Sequence, residues 1–218
     1  AAVQCSAVQG DGKTLIGGYF DNFQGVTQKK LIRINLDGSK DASFNPPAEF
    51  NDEVQSILLQ ADGKILIRGK FTNFGNSGRN ALVRLNPDGS RDTSFLRSSE
   101  YDVDVIALQP NGKIIISAFV DSYPYLPVRR LFRLNIDGTN DVSFTAGNSF
   151  DLSKGIISSI VAQPDGKILV GGSFTTLNPI PQKYLVRLNP DGSQDTSFDI
   201  GTLYNLAINV QKITLQPD

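Results

Sequence analysis

A ten-residue motif that occurs four times is the feature that most constrains this chain. Residues 86–95 read NPDGSRDTSF and residues 189–198 read NPDGSQDTSF, and looser copies stand at 35–44 (NLDGSKDASF) and 135–144 (NIDGTNDVSF). A second motif, QPDGKILVGG in its last version, precedes each copy and begins at Gln9, Gln60, Gln109 and Gln163. Successive copies are 51, 49 and 54 residues apart, whereas the glycines of the two motifs are always 26 apart. Such a period predicts a solenoid, propeller or array made of a rigid unit and one variable joint.

Each repeat is predicted to form four short antiparallel strands. In the second copy these are Val54–Gln60, Ile65–Phe71, Ala81–Asn86 and a short fourth strand that ends at Phe95. Asp-Gly, or Asn-Gly in the third copy, lies between the apolar runs and favours tight primed turns with positive φ at the central residues. Four-stranded repeats of about 50 residues are typical of β-propeller blades.

The predicted fold class is therefore an all-β β-propeller, or a fragment of one, with another all-β repeat array as the alternative. Its four full repeats lie approximately at 3–53, 54–102, 103–156 and 157–209, and a partial fifth lies at 210–218. The second of two central positions in strand two is small in every copy, as Gly18, Gly69, Ala118 or Gly172. A recurring small residue in a strand indicates close backbone approach, which we expect at the crowded middle of a radial array.

An arginine and an aspartate eight residues apart recur in every copy. The pairs are Arg33 and Asp41, Arg84 and Asp92, Arg133 and Asp141, and Arg187 and Asp195. Because a tight turn joins strands three and four, we expect each pair to form a salt bridge that ties its hairpin. The alternative is a ring of four arginines that binds an anion.

The Asn-x-Asp-Gly-x-x-Asp pattern of the motif resembles part of a calcium-binding loop. It lacks the terminal bidentate Glu and the flanking helices of that loop. A turn in which Asp caps its own backbone is the favoured interpretation, with calcium as the alternative, and no cofactor is expected.

Aromatic residues recur six positions apart after the turn of the ten-residue motif. The pairs are Phe44 and Phe50, Phe95 and Tyr101, Phe144 and Phe150, and Phe198 and Tyr204. Because every copy has them at one register, packing between blades is the favoured interpretation and a ligand platform the alternative.

Function in repeat proteins is expected where the copies differ. The variable joint contains Glu53 and Asp102 within a mildly acidic rim, and the third copy has the distinctive loop DSYPYLPVRR at 121–130. Tyr125 does not follow the repeat, and two prolines stiffen the loop before Arg129 and Arg130. These five residues are the predicted partner contacts, with solvated charges and a chance surface loop as the alternative interpretation.

The composition narrows the chemistry further. The sequence has no His, which excludes the common Ser-His-Asp and Cys-His nucleophile arrangements within these residues and removes the usual zinc ligand. The 21 basic and 22 acidic residues are nearly balanced, so no nucleic-acid partner is expected. No apolar run approaches the roughly 18 residues of a membrane helix, so no membrane insertion is expected. The single Cys5 is predicted to be a structural thiol.

The sequence QPDGKILVGGSFT, followed by LVRLNPDGSQDTSF in the fourth copy, resembles the delta-60 repeat, a family of predicted β-propeller repeats in large bacterial surface and secreted proteins. The resemblance covers the chain from about Val3 to Asp218 and is weakest in the third copy. It implies a β-propeller in an extracellular or cell-surface setting, and it brings no catalytic residues.

Residues 3–11 and 210–218 are both copies of strand one. The extra strand either overlaps to seal a ring or belongs to a section of a longer propeller, and we favour the longer propeller. The start at Ala1 also leads us to expect a processed form or a piece of something longer, and an unsealed edge strand would allow self-association.

The leading functional hypothesis is a non-enzymatic binding or scaffolding module that contacts a protein or a glycan through its variable loops. A carboxylate-based glycoside hydrolase, with Glu53 and Asp102 among the candidate acids, is one alternative. A structural subunit of a larger assembly is the other.

Overall fold

The structure is a computed structural model that describes residues 2–72, 81–96, 101–120, 128–148, 155–174, 184–200 and 209–216. The chain divides into two compact units, Ala1–Asp102 and Val103–Asp218. Each unit contains two three-stranded antiparallel sheets, one for each repeat. We call these sheets blades 1 and 2 in the first unit and blades 3 and 4 in the second.

The blades share one strand order, in which the second strand is central. The strands of the first unit are β1 (Ala2–Val8), β2 (Thr14–Tyr19), β3 (Asn22–Phe23), β4 (Val26–Thr27), β5 (Leu31–Ile34), β6 (Val54–Leu59), β7 (Ile65–Gly69) and β8 (Ala81–Leu85). Those of the second are β9 (Tyr101–Leu108), β10 (Ile114–Val120), β11 (Val128–Leu134), β12 (Ile157–Ala162), β13 (Ile168–Gly172) and β14 (Leu185–Leu188). The short β3 and β4 form a hairpin of their own, and the other twelve strands make up the blades.

The all-β prediction is confirmed, and the predicted fourth strand of each repeat is reduced to one bridge. The four bridges are Ile34 with Lys40, Leu85 with Arg91, Leu134 with Asn140, and Leu188 with Gln194. Pairing ends there because the chain bends at once: in the first repeat, Phe44 N donates to Asp41 O at 3.3 Å. Among the described residues, the short 3-10 helix at Thr145–Asn148 is the only helix, and none is long and apolar enough to cross a membrane.

The Asp-Gly turns differ from the predicted primed turns. Gln9 N donates to Lys13 O and Gly12 N donates to Gln9 O, and only Gly12 of this loop has a positive φ, of 83°. This is the three-residue hairpin loop that ends in a left-handed glycine. Asp11 Oδ1 accepts a hydrogen bond from Lys13 N at 3.1 Å. Asn111 does the same for Lys113, so Asp and Asn are interchangeable because each offers this oxygen.

The small residue of strand two lies against a bulge in its own blade. A Cβ atom on Gly18 would lie 2.1 Å from Ala2 O, and one on Gly69 would lie 2.1 Å from Glu53 O. The pairing register shifts next to these contacts, between Val3 and Cys5 in β1 and at the equivalent place in β6. The predicted close approach therefore exists, and the bulged first strand of the same blade is its cause.

Each unit has one core cluster, which lies between its two blades. We call the side of a blade that faces the following blade its trailing face, and the opposite side its leading face. In the first unit, Leu15 and Leu31 on the trailing face of blade 1 pack with Ile65, Ile67 and Val83 on the leading face of blade 2. The equivalent residues of the second unit are Ile115, Leu131, Ile168, Val170 and Val186.

The first strand of a following repeat is seated over the first glycine of strand two. Val54 Cγ1 lies 2.5 Å from the place of a Cβ on Gly17, so only glycine leaves room for it. Residues 209–216 lie over blade 4 in the same way, with Val210 Cγ1 at the same distance from Gly171 and Val210 N donating to Gly172 O at 3.2 Å.

Candidate functional site

Four hydrogen bonds converge on the aspartate of each ten-residue motif. Asp41 Oδ2 accepts from Arg33 Nε at 2.7 Å and from Lys13 Nζ at 2.8 Å. Its Oδ1 accepts from Ser43 N at 2.9 Å and from Ser43 Oγ at 2.7 Å. The same four bonds occur in the other copies, at Asp92, Asp141 and Asp195. Every predicted Arg–Asp pair is therefore a salt bridge, and a lysine shares each one.

These donors keep the aspartates ionised. Hydrogen bonds from Lys13 and Ser43 hold the pKa of Asp41 well below its usual range, burial opposes them, and Arg33 lowers the pKa further. At Asp92 and Asp141 burial acts to raise the pKa, but the serine, lysine and arginine donors together outweigh it. A carboxylate with so low a pKa is a poor proton donor or acceptor at neutral pH, so these aspartates are poorly suited to acid–base chemistry.

The arginine of the motif joins one blade to the next. The Arg33 guanidinium lies 4.6 Å from the centre of the Phe44 ring, and its Nη1 donates to Pro87 O of blade 2 at 2.6 Å. In the second unit, Arg133 Nη1 donates to Pro190 O in the same way. Since these guanidinium groups bond to protein on both sides, the geometry favours the salt-bridge interpretation over an anion ring.

Two further contacts complete this junction, which we call the clasp. Asn45 N donates to Asp88 O at 2.9 Å, and the Phe44 ring lies 2.9 Å from the place of a Cβ on Gly89. In the second unit the clasp consists of Arg133, Phe144 and Thr145 on blade 3 with Pro190, Asp191 and Gly192 on blade 4. The motif therefore supplies both halves of a contact between blades.

The turn aspartates cap their own turns. Asp37 Oδ1 accepts from Ser39 N at 2.9 Å and from Ser39 Oγ at 2.6 Å, and these bonds lower the pKa of Asp37. Asp88, Asp137 and Asp191 make the same pair of bonds. Within the described part of the chain, no three His, Cys, Asp or Glu residues are grouped so that they could hold a metal ion. The self-capped turn accounts for the pattern that resembled a calcium loop.

The predicted partner contacts have different surroundings. Glu53 accepts a hydrogen bond from Gln4 Nε2 at 2.8 Å and forms a salt bridge with Lys70 at 2.9 Å, and its side chain is only 13% exposed. It therefore ties β1 to blade 2. Asp102 Oδ1 is buried and has no hydrogen-bond partner in the part of the chain that the structure describes.

Asp104 of the third repeat stands where the other copies have Gln or Ser, whereas Arg129 stands at a position that is also basic in the first and fourth copies. Arg129 Nε donates to Asp104 Oδ2 at 2.7 Å, and its guanidinium lies 5.4 Å from the centre of the Phe119 ring. The pair is partly exposed, by 30% at Arg129 and 23% at Asp104. Arg130 is half-buried beside it, and Tyr125 lies outside the described residues. Asp104 was not predicted as a site residue, although its place in an unusual repeat was a usable signal.

Cys5 lies where blades 1 and 2 meet. Burial raises the pKa of its thiol to about 11, and a hydrogen bond with the Gly17 backbone offsets part of that effect. Cys5 Sγ lies 3.7 Å from Val54 O. A protonated thiol of this kind is a poor nucleophile, in agreement with a structural role.

Structural comparison shows the fold alone. A gluconolactonase from Xanthomonas campestris, described as important in glucose secondary metabolic pathways, aligns with a TM-score of 0.52 and 12% identity over 88% of this chain. This chain spans 60% of that protein. A protein of unknown function from Bacteroides caccae aligns over 88% of this chain and 79% of its own, with 12% identity and a TM-score of 0.34. A search of curated protein sequences finds no match.

Comparison with family models gives four matches, one for each blade. Residues 9–44, 60–95, 109–144 and 163–198 match the model described as "Domain of unknown function (DUF5122) beta-propeller". Each match begins at the glutamine of the first motif and ends at the phenylalanine of the second, so it covers the residues that form the aspartate networks. Together the matches cover more than half of the chain, and the chain belongs to the DUF5122 β-propeller family.

Proposed function

We propose that this chain is a non-enzymatic binding or scaffolding β-propeller module of a bacterial surface or secreted protein. The delta-60-like motifs support that setting. One observation carries the proposal: the arginine and aspartate common to all repeats are salt-bridged within each blade, and Arg33 and Arg133 also bond to the next blade. Residues particular to one repeat therefore remain for recognition.

The best-supported contact surface is that of the third repeat. Arg129, partly exposed over Phe119, combines a charge, a flat donor group and an aromatic face. Arg and aromatic residues are enriched among the residues that dominate protein interfaces. The same side chains can stack on and hydrogen-bond to a sugar, so the partner is a protein or a glycan. Arg130 and Tyr125 extend this surface in the sequence.

An enzyme is the second candidate function. Asp102 has a buried carboxylate oxygen without a partner among the described residues, which is an unusual arrangement for a purely structural acid. With a gluconolactonase among the proteins of similar fold, a hydrolase acting on sugar lactones or glycosides is the activity to test.

The decisive experiment measures binding and turnover on the same protein. We expect the chain to bind on an array of bacterial and host glycans, or to an immobilised surface-protein fraction. Arg129→Ala should weaken that binding at least about tenfold, which corresponds to the loss of one important interface residue. Lys29→Ala, at the exposed lysine of blade 1 that is equivalent to Arg129 in the repeat, is the matched control and should bind normally.

Turnover would overturn the proposal. The chain is assayed on gluconolactone and on nitrophenyl glycosides beside Asp102→Asn. Hydrolysis that disappears in Asp102→Asn would establish the enzyme instead, and absence of hydrolysis by the wild-type chain on these substrates agrees with a binding module.

A further inference from the structure

The clasps described above identify one acceptor half and one donor half that have no clasp partner among the described residues. In blade 1, the turn at Leu36, Asp37 and Gly38 is equivalent to the turn that accepts the clasp in blade 2. A Cβ on Gly38 would have nothing within 4 Å, whereas one on Gly89 would meet the Phe44 ring. Leu36 is 82% exposed. We call this turn the acceptor half.

Blade 4 carries the complementary donor half, which consists of Arg187 and Phe198. Arg187 donates from Nε to Asp195 and from Nη2 to Ser197, and its Nη1 has no acceptor among the described residues. The Arg187 side chain is 22% exposed, compared with 8% for Arg33 and Arg133. Phe198 is half-buried, while Phe44 is only 2% exposed.

The sheet faces beside the two half-clasps are also incompletely covered. Val3 is 67% exposed on the leading face of blade 1, whereas the equivalent Val54 of blade 2 is fully buried. Next to Val3 is an apolar pocket of about 190 Å³ that Ile16, Phe20 and Ile32 help to line. In blade 2 the residue equivalent to Phe20 is Phe71, and Phe50 covers it edge to face with the ring centres 4.9 Å apart.

The trailing face of blade 4 is also less buried than the equivalent face of blade 1. Leu169 is half-buried, while the equivalent Leu15 of blade 1 is fully buried under blade 2. Each exposed surface is therefore one side of a contact that this chain forms elsewhere in full. The trailing face of a blade of this repeat therefore fits the leading face of blade 1.

We propose that the donor half on blade 4 of one copy binds the acceptor half on blade 1 of a second copy. In this head-to-tail contact, Arg187 Nη1 donates to Leu36 O, and Phe198 packs on Gly38. Because the two surfaces differ, the contact is heterologous and builds rings or open chains. Ser6 and Thr14 replace Ile57 and Ile65 of blade 2 at the contact, so it buries less apolar surface and forms reversibly.

Residues 209–216 compete for the same place. Val210 occupies the groove over Gly171 that Val3 of the second copy must enter, because Val3 and Val210 are equivalent in the repeat. In the alternative exchange, residues 209–216 would stay on blade 4 and take the place of β1 of the second copy. That exchange is less favourable, because Lys212 would then occupy the position of the partly buried Cys5. The segment is therefore displaced from blade 4 when the contact forms, and it limits the affinity.

Sedimentation velocity on the full chain, from micromolar to near-millimolar concentration, tests the proposal. We expect the average mass to rise above 23.7 kDa as the concentration increases. Gly38→Val should abolish the rise, because its side chain occupies the place of Phe198. Gly25→Val is the matched control: Gly25 has the same φ of 82°, nothing lies within 4 Å of its Cβ position, and it lies in the turn between β3 and β4 and not in the acceptor half.

A second variant tests the competition. Val210→Asp weakens the hold of residues 209–216 on blade 4, so association should begin at about tenfold lower concentration, the effect of losing one buried side chain from the competitor. A chain that stays monomeric at every concentration overturns the proposal, as does equal association of Gly38→Val and Gly25→Val. If Val210→Asp associates at the same concentration as the wild type, residues 209–216 do not compete with the second copy for blade 4. Ligand binding by Arg129 does not enter these measurements, so this inference and the proposed function fail independently.

Discussion

The turns at Asp37-Gly38 and Asp88-Gly89 have the same local structure and different neighbours. Both aspartates cap their turns with a serine, and both glycines have positive φ, of 82° and 89°. Phe44 and Asn45 pack on Gly89, while nothing lies within 4 Å of a Cβ on Gly38. The comparison shows that the motif makes its turn unaided and that a neighbouring blade adds the packing. The free energy of unfolding that a substitution in this turn removes should therefore have two contributions, one from the turn itself and one from packing against the neighbouring blade.

The largest difference is expected when the phenylalanine of the clasp is removed. Phe44→Ala should lower the free energy of unfolding by about 4 kcal/mol, because it empties a fully packed site against blade 2. Phe198→Ala should cost about 2 kcal/mol, since Phe198 packs under Arg187 and is only half-buried. Urea unfolding followed by circular dichroism measures both. Equal costs would show that the clasp adds nothing to the local packing.

The two glycines give the next largest difference. Gly89→Ala should lower the free energy of unfolding by about 3 kcal/mol, from left-handed backbone strain and the clash with Phe44 together. Gly38→Ala carries the strain alone and should cost about 1 kcal/mol. The same urea titration applies, at a concentration where the chain is monomeric. A cost for Gly38→Ala as large as that for Gly89→Ala would mean that the turn in blade 1 is also packed.

Acid should weaken the aspartate networks on which both turns depend. The pKa of Asp41 and Asp92 is lower in the folded chain than in the unfolded chain, so each carboxylate stabilises the fold above its unfolded pKa of about 3.9. That stability is lost as the pH falls through the folded pKa, so the urea midpoint should fall steadily below about pH 4. Asp92→Asn should be less stable at pH 7 and show a weaker pH dependence. An unchanged pH profile in that variant would remove Asp92 from the acid response.

The sequence was sufficient to predict the features that repeat within one blade. The all-β class, the turn glycines and the Arg33–Asp41 type of salt bridge follow from spacing, since their partners are close in the chain. The clasp was missed for a physical reason. In a regular repeat every blade has the same residues, so the sequence pattern is the same whether a residue contacts its own blade or the next one. Nothing in the pattern therefore indicated that Arg33 also reaches Pro87.

Residues particular to one copy were harder to assign. Glu53 looked like a rim charge, but Gln4 in β1 and Lys70, which directly follows β7, both bond to it and make it a structural tie. The lysine after each turn glycine was overlooked although every copy has it, because a lysine in a turn is ordinarily solvated. Its role depends on the length of the hairpin, which brings Lys13 to Asp41 from 28 residues away. Geometry of this kind is set by the packed sheet and cannot be read from composition.

The smallest expected effect is a change in the reactivity of Cys5, which reports on the formed contact between blades 1 and 2. A Cβ on Gly17 would lie 2.8 Å from Cys5 Sγ and 2.5 Å from Val54 Cγ1, so the thiol is enclosed where the two blades meet. Because the thiolate is the reactive form and burial raises the pKa to about 11, iodoacetamide should label the folded chain much more slowly than the urea-unfolded chain at pH 8. Gly89→Ala loosens the clasp and should speed labelling a few-fold, since local opening exposes the thiol more often. Gly38→Ala has the same backbone strain without a clasp to loosen, so its rate should equal that of the wild type. Mass spectrometry of timed samples measures these rates, and equal acceleration by the two variants would mean that Cys5 responds to strain in the turn and not to the separation of the blades.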